Sequence, residues 1–216
     1  LASSEAGGYF GHELKWAGLD AVVVRGSAET PVYLWITKGR VEIRDAAQLW
    51  GKETSVVQES LRAQLNDAKV KTAAIGLAGE NLVRFAAIMT DVNRAAGRSG
   101  LGALMGSKRL KAIAVRGSEP VKPADRPTVS KLAKWLGANY KQEVGWAVRM
   151  GTVSGVRNLN KVGGLPTKAF REPQFDKVEQ ISGHLMHETI LVGRDTCQVC
   201  PIRCKQVVAH EDPAGT

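Results

Sequence analysis

The chain has 216 residues, 44% hydrophobic and 24% charged, a balance that suits a globular protein of one large or two small domains. No apolar run approaches the roughly 20 residues that a membrane span needs, and 1–6 has neither the basic nor the apolar stretch of a signal peptide. The net charge of +9 favours anionic partners, but the densest basic patch, Lys108-Arg109-Leu110-Lys111, is too short for a nucleic-acid arm.

A glycine-rich opening leads into Tyr9–Trp16, where Phe10, Leu14 and Ala17 recur at helical spacing and Gly18 offers a stop. Ala21–Val24 is a short apolar run that predicts a buried strand. Val32–Ile36 and Arg40–Arg44 flank Thr37-Lys38-Gly39 and predict a hairpin. Asp45 is a candidate cap for a short turn through Trp50. Ser55–Leu65 has apolar residues at Val56, Val57, Leu61 and Leu65, a surface-helix pattern. Lys71–Ile75 and Leu110–Val115 read as strands; Leu82–Met89 is a strand or a buried helix, and the turn signals on both sides favour the strand.

Gly117–Pro127, with three prolines, is the best boundary in the chain. Beyond it Ser130–Asn139 predicts a helix capped by Ser130, followed by helical Gln142–Met150, Val153–Lys161 and Ile181–Leu191, with a loop over Gly163–Pro173. The expected class is therefore α+β: a sheet-rich part over 1–120 and a helical part over 121–216. The five tryptophans, Trp16, Trp35, Trp50, Trp135 and Trp146, are expected as packing anchors. Leu1 and Ala214–Thr216 show no opening or closing element, as expected of a segment from a longer polypeptide.

The sharpest chemical signal is Cys197-Gln198-Val199-Cys200-Pro201-Ile202-Arg203-Cys204, which holds all three cysteines. An odd, clustered set is a poor disulfide framework and suits metal ligation in a reducing compartment. Three thiolates in C-x2-C-x3-C spacing can hold one side of an iron–sulfur cluster, and Pro201 keeps the loop from turning helical. Zinc is the rival metal, with His210 as a possible fourth ligand. His184 and His187 lie three apart but form no H-E-x-x-H pattern and read as surface residues.

The second signal is the run from Arg94 to Lys108, with Gly97, Gly100, Gly102 and Gly106 among Arg94, Arg98 and Lys108. Glycines let the backbone approach a ligand, bare N–H groups at a turn bind anions, and an Arg fork matches phosphate. The run is neither a Walker A loop nor a convincing Rossmann fingerprint; it points to a phosphate-bearing ligand. Ser3–Gly11 is a second glycine loop leading into a helix.

Together these pieces resemble the aldehyde ferredoxin oxidoreductase family, over nearly the whole chain. The stretches that carry the likeness are GGYFGHELKWAG (Gly7–Gly18), PVYLWI (Pro31–Ile36), VEIRD (Val41–Asp45), GENLVRFAAIM (Gly79–Met89), RAAGRSGLGALMGSKRLKAIAVRG (Arg94–Gly117) and CQVCPIRC (Cys197–Cys204). The resemblance implies a sheet-rich base that holds tungsten, less often molybdenum, between two pterin cofactors whose phosphates are linked by Mg2+, with a [4Fe–4S] cluster nearby and helical domains following. By matching positions, it assigns Glu5 and Gly7 to the first pterin loop, Arg94, Ala95, Gly97 and Arg98 to the second, and Cys197, Cys200 and Cys204 to the cluster. Ala95 would turn its carbonyl toward the magnesium shell. Glu5 stands where well-known members have Asn.

The activity so implied is oxidation of an aldehyde to a carboxylate in the cytoplasm, with electrons leaving through the cluster to ferredoxin or an iron–sulfur subunit. A homodimer is compatible with it. The fourth cluster cysteine and the catalytic residues are expected outside this chain. An aromatic acyl-CoA reductase of the same family is the alternative reaction. A zinc-stabilised nucleic-acid-binding module is the alternative from another class.

Overall fold

Six strands form the sheet on which residues Leu1–Lys122 are built. The structure, a computed structural model, describes residues 2–211. Leu1, 212–216 and the side chains of Trp146 and Ala147 lie outside what is described. In chain order this unit contains α1 (Phe10–Trp16), β1 (Val32–Thr37), β2 (Arg40–Asp45), α2 (Thr54–Gln64), β3 (Lys71–Ala74), α3 (Leu77–Glu80), β4 (Ile88–Thr90), β5 (Arg94–Ala96), α4 (Leu101–Ser107) and β6 (Leu110–Arg116).

The sheet order is β2-β1-β6-β3-β4-β5, with β1 and β6 parallel at its centre and the remaining pairs antiparallel. The side-chain alternation of the central strands builds two cores. Tyr33, Ala112 and Ala114 join Val57 and Leu61 of α2 on one side. Leu34, Ile36 and Val115 join Ala17, Met105 and the flanks of α1 on the other. The alternating apolar residues of β1 and β6 are therefore each used, one face at a time.

Lys38 (φ 48) and Gly39 (φ 72) turn the β1–β2 hairpin in two residues, with Thr37 paired to Arg40. Asp45 accepts the N–H of Ala47 at 3.3 Å and opens a single 3-10 turn over Ala47–Leu49.

Two expected strands differ. Ala21–Val24 is not a strand: Val22 and Val24 pack on the second core and Val23 is exposed, but among the described residues no strand lies alongside to take its backbone bonds. Of Leu82–Met89, only Ile88 and Met89 enter a strand. Leu82 takes φ 56, Phe85 is exposed, and the Ala86 carbonyl accepts Gly102 N–H at 2.9 Å. This segment wraps the start of α4 instead of joining the sheet.

The second unit, Pro123–Thr216, contains α5 (Arg126–Glu143), α6 (Gly145–Met150), a 3-10 turn (Gly151–Gly155), α7 (Val156–Lys161), a second 3-10 turn (Val178–Ile181), α8 (Gly183–Thr189), β7 (Leu191–Asp195) and β8 (Lys205–Val208). Helix α5 starts four residues before Ser130. Asp125 caps it by accepting Thr128 N–H at 3.0 Å, and Pro127 sits in its first turn, where a missing N–H costs nothing. A proline read as loop thus begins a helix. Ser182 caps α8, its Oγ accepting Leu185 N–H at 3.2 Å. The antiparallel β7–β8 pair was not expected. Trp135 lies 53% exposed on α5, so it is not a packing anchor within the described residues. No helix there is long and apolar enough to cross a membrane.

Candidate cofactor loops and cysteine hairpin

The two glycine loops of the first unit lie against each other. Ser4 Oγ accepts the N–H of Arg98 at 3.1 Å, and Ser99 Oγ donates to the Ser3 carbonyl at 3.0 Å. Tyr9 N–H donates to Asp91 Oδ2 at 3.2 Å, and Thr90 Oγ1 reaches the Gly7 carbonyl at 3.5 Å. At Gly8 (φ 104) a Cβ would stand 3.0 Å from Arg94 Cγ. Residues 3–9 and 90–99 therefore form one junction, which contains Glu5, Gly7, Arg94, Ala95, Gly97 and Arg98.

Within it, Glu5, Gly7, Ala95, Gly97 and Arg98 are exposed and Arg94 is half-buried. Arg94 and Ala95 belong to β5, the edge strand of the sheet. An edge strand offers backbone N–H and C=O groups to partners outside the sheet, and two guanidinium groups beside it make that offer electropositive. Asp91 Oδ1 is buried without a hydrogen-bond partner, an acceptor left over at the centre of the junction. Backbone N–H groups and arginine forks suit phosphate oxygens, and the unmatched Asp91 acceptor suits an N–H of a heterocycle, so together they fit a phosphate-bearing heterocycle. The Glu5 carboxylate is solvent-exposed, so it carries no buried charge into the junction.

Three further features fix the helices of this unit. Helices α3 and α4 cross at glycines, with no space for a Cβ at Gly106, which would meet the Gly79 carbonyl oxygen at 1.9 Å. The Lys111 ammonium, fully buried on β6, pairs with Glu80 at the end of α3 and donates to the Lys52 carbonyl at 2.8 Å. Glu80 also accepts Gly51 N–H at 2.9 Å. Glu13 of α1 takes Arg116 Nη1 at 2.7 Å and Gly117 N–H at 2.8 Å. Arg116 reaches Asp67 as well, and the two carboxylates hold its guanidinium above its ordinary pKa, Glu13 first.

In the second unit the cysteines occupy the loop that joins β7 to β8. None of the three is in a disulfide; Cys197 and Cys200 are half-buried and Cys204 exposed. Val199 (φ 55) and Arg203 (φ 51), each just before a cysteine, take left-handed backbone, so the loop coils back at both points. Cys200 N–H donates to the Cys197 carbonyl at 3.1 Å. Arg203 Nη2 donates to the Arg194 carbonyl at 2.7 Å, and the Arg194 guanidinium takes the Val148 and Arg149 carbonyls at the end of α6. Gly151 packs on the Cys204 carbonyl, where a Cβ would come within 2.3 Å. Among the described residues no three His, Cys, Asp or Glu groups converge as ligands of a single ion. Thiolates serving a cluster each meet a separate iron and need not converge on one point; three thiols on a coiled loop are a donor set that fits such a cluster.

Sequence reasoning missed Asp91 and Thr196, both polar residues beside the expected sites. Asp91 follows a strand and precedes a basic run, a signal that was available. It also missed a cavity of about 520 Å3 in the second unit, lined by Leu165, Pro166, Phe175 and Ile181 with Lys168 and Lys177. That cavity includes none of the expected site residues.

Residues 1–117 match the family aldehyde ferredoxin oxidoreductase, N-terminal domain, and residues 128–215 match aldehyde ferredoxin oxidoreductase, domains 2 and 3. A tungsten-containing aldehyde ferredoxin oxidoreductase of Pyrococcus furiosus is 45% identical over 210 residues, 96% of this chain and 35% of that protein. An aliphatic sulfonate oxidoreductase, WOR-like subunit, of the same organism is 45% identical over 51% of this chain and 20% of its own length. Among solved structures, the active site complex BamBC of benzoyl coenzyme A reductase, in complex with 1,5-dienoyl-CoA, superposes with a TM-score of 0.76 at 28% identity, covering 96% of this chain and 34% of that one. The chain thus spans about a third of the length of the aldehyde ferredoxin oxidoreductase and of the benzoyl coenzyme A reductase chain, and a fifth of the sulfonate oxidoreductase subunit. With its two parts matching successive domains of one family, this chain belongs to the aldehyde ferredoxin oxidoreductase family.

Proposed function

We propose that this chain is the cofactor-cradling part of a tungsten- or molybdenum-pterin oxidoreductase that converts an aldehyde to a carboxylate. The observation that carries the reading is the junction of residues 3–9 with 90–99, where Ser4 accepts the Arg98 N–H at 3.1 Å, Arg94 opens the edge strand and Arg98 follows it. In this reading Glu5 and Gly7 serve through backbone groups. Arg94 and Arg98 bind phosphate oxygens through their guanidinium forks, and Gly97 gives close access to the backbone. Ala95 offers its carbonyl toward a Mg2+ ion that joins the phosphates.

Cys197, Cys200 and Cys204 hold three irons of a [4Fe–4S] cluster. When bound, the metal–pterin group supplies the two-electron redox chemistry and the cluster a one-electron outlet. The protein's own share is to bind, orient and exclude water. Arg203 and Lys205, beside the cysteines, give that face a positive charge suited to an acidic electron carrier such as ferredoxin. A cytoplasmic location and a homodimer belong to the same proposal.

A second reading keeps the fold and changes the reaction to reduction of an aromatic acyl-CoA ester. The likeness to benzoyl coenzyme A reductase at TM-score 0.76 favours it; the higher identity, 45%, to an aldehyde-named relative favours the first. The test is metal analysis and EPR on the full-length protein made anaerobically, followed by assays with aldehydes and aromatic acyl-CoA esters. Tungsten or molybdenum with a reducible [4Fe–4S] signal and aldehyde turnover supports the first reading. Acyl-CoA turnover within a multi-subunit assembly supports the second, and zinc as the sole metal overturns both.

A further inference from the structure

We propose that Thr196 is a positioning residue for the cysteines, whose hydroxyl presets the Cys197–Cys200 turn in the form that receives an iron–sulfur cluster; this rests on the cluster reading above. Thr196 follows β7 directly and precedes Cys197. Its Oγ1 lies 2.7 Å from the Cys200 carbonyl oxygen and 3.0 Å from that of Cys197. One hydroxyl proton is thus shared between the carbonyls of the first two cysteines, the shorter contact going to Cys200. Side-chain bonds of this local kind compete with regular structure and fix turns.

The turn needs such a clasp. Between the two thiols Val199 is held at φ 55, a region that β-branched residues disfavour, and its side chain is 86% exposed, so packing does not hold it there. The backbone bond from Cys200 N–H to the Cys197 carbonyl, at 3.1 Å, closes the turn from inside; the Thr196 hydroxyl closes it from the strand. The far end of the loop is tied separately, by Arg203 to the Arg194 carbonyl and by the Gly151 contact with Cys204. Removing the hydroxyl therefore frees the Cys197–Cys200 spacing and leaves the hairpin anchored.

The experiment uses full-length protein purified anaerobically as wild type, T196V, T196A and T196S. Iron and acid-labile sulfide per chain, the rate of iron release to a chelator, and the thermal melt are measured for each. T196V and T196A are expected to release iron about fivefold faster, the factor equivalent to one hydrogen bond of about 1 kcal/mol. T196S is expected to keep the wild-type rate, with melts of the iron-free proteins unchanged throughout. Equal release from wild type and both hydroxyl-free variants overturns the proposal, as does a T196S that behaves like T196A. Wild-type protein without acid-labile sulfide overturns the cluster reading itself.

Discussion

Ser4 and Arg98 are 94 residues apart in the chain and share a hydrogen bond of 3.1 Å, from the Arg98 N–H to the Ser4 hydroxyl oxygen. The bond fixes the spacing of two loops that each look ordinary alone. Ser4→Ala removes it at a cost of about 0.5–1 kcal/mol, the lower part of the range because Arg98 is exposed. The full-length variant is expected to fold normally yet retain less pterin. Arg98→Glu reverses a charge in the same place and is expected to deplete pterin further while iron is unchanged. Fluorescence of the oxidised pterin, set against iron content, checks both; full pterin occupancy in Arg98→Glu would remove that loop from the site.

Two glycines separate close packing from mere helix-breaking. A Cβ at Gly106 would lie 1.9 Å from the Gly79 carbonyl oxygen, whereas one at Gly137, within α5, meets nothing within 4 Å. Gly106→Ala forces α3 and α4 apart and is expected to cost about 3 kcal/mol, the upper end of ordinary overpacking. Gly137→Ala is expected to gain up to about 1 kcal/mol from helix propensity. Denaturant midpoints of the two variants should move in opposite directions.

What the sequence made legible follows from which residues carry their own signal. Helix α2 came from local periodicity, because Val57 and Leu61 recur on its buried side, and strands β1, β2 and β6 from β-branched and apolar runs between turn residues, Tyr33 through Ile36 being buried or half-buried on both faces of the sheet. Ala21–Val24 has the composition of a strand, but pairing depends on a neighbour that no local pattern names. The β7–β8 pair is the reverse: its short strands include Arg194, Asp195, Lys205 and Gln206, and only the return of the chain after the cysteines makes them partners. The glycine loops and cysteines were visible as residue types; the Ser4–Arg98 contact and the Thr196 bonds were not, since hydroxyls leave no pattern.

Lys111 is fully buried and its ammonium meets Glu80, whose side chain is 5% exposed. Removing one charge strands the other, so Lys111→Met is expected to cost about 3–5 kcal/mol. Replacing both, as Lys111→Met with Glu80→Leu, should cost less than the single change, because no unpaired charge remains; the Gly51 N–H and Lys52 carbonyl that the pair also serves keep it from being free. Chemical denaturation of the two variants decides it. A double variant as unstable as the single would mean that the backbone bonds, not the ion pair, hold α3 to β6.

Asp67 sets a pH dependence of known sign. The Lys69 N–H at 2.8 Å, then the Arg116 guanidinium at 2.9 Å, hold its carboxyl below the usual carboxylate pKa. A folded-state pKa below the unfolded one means that the folded protein binds the proton less readily. The stabilisation is therefore complete above the unfolded value, about 3.9, and disappears as pH falls through the lower folded value. Asp67→Asn is accordingly expected to be less stable than wild type at neutral pH by a small margin, since the side chain is 33% exposed and solvent screens the pair. The two stability curves should converge below about pH 4. Urea unfolding at pH 7 and at successively lower pH measures the gap. A gap that stays constant into acid would mean that Asp67 acts through packing and not through its charge.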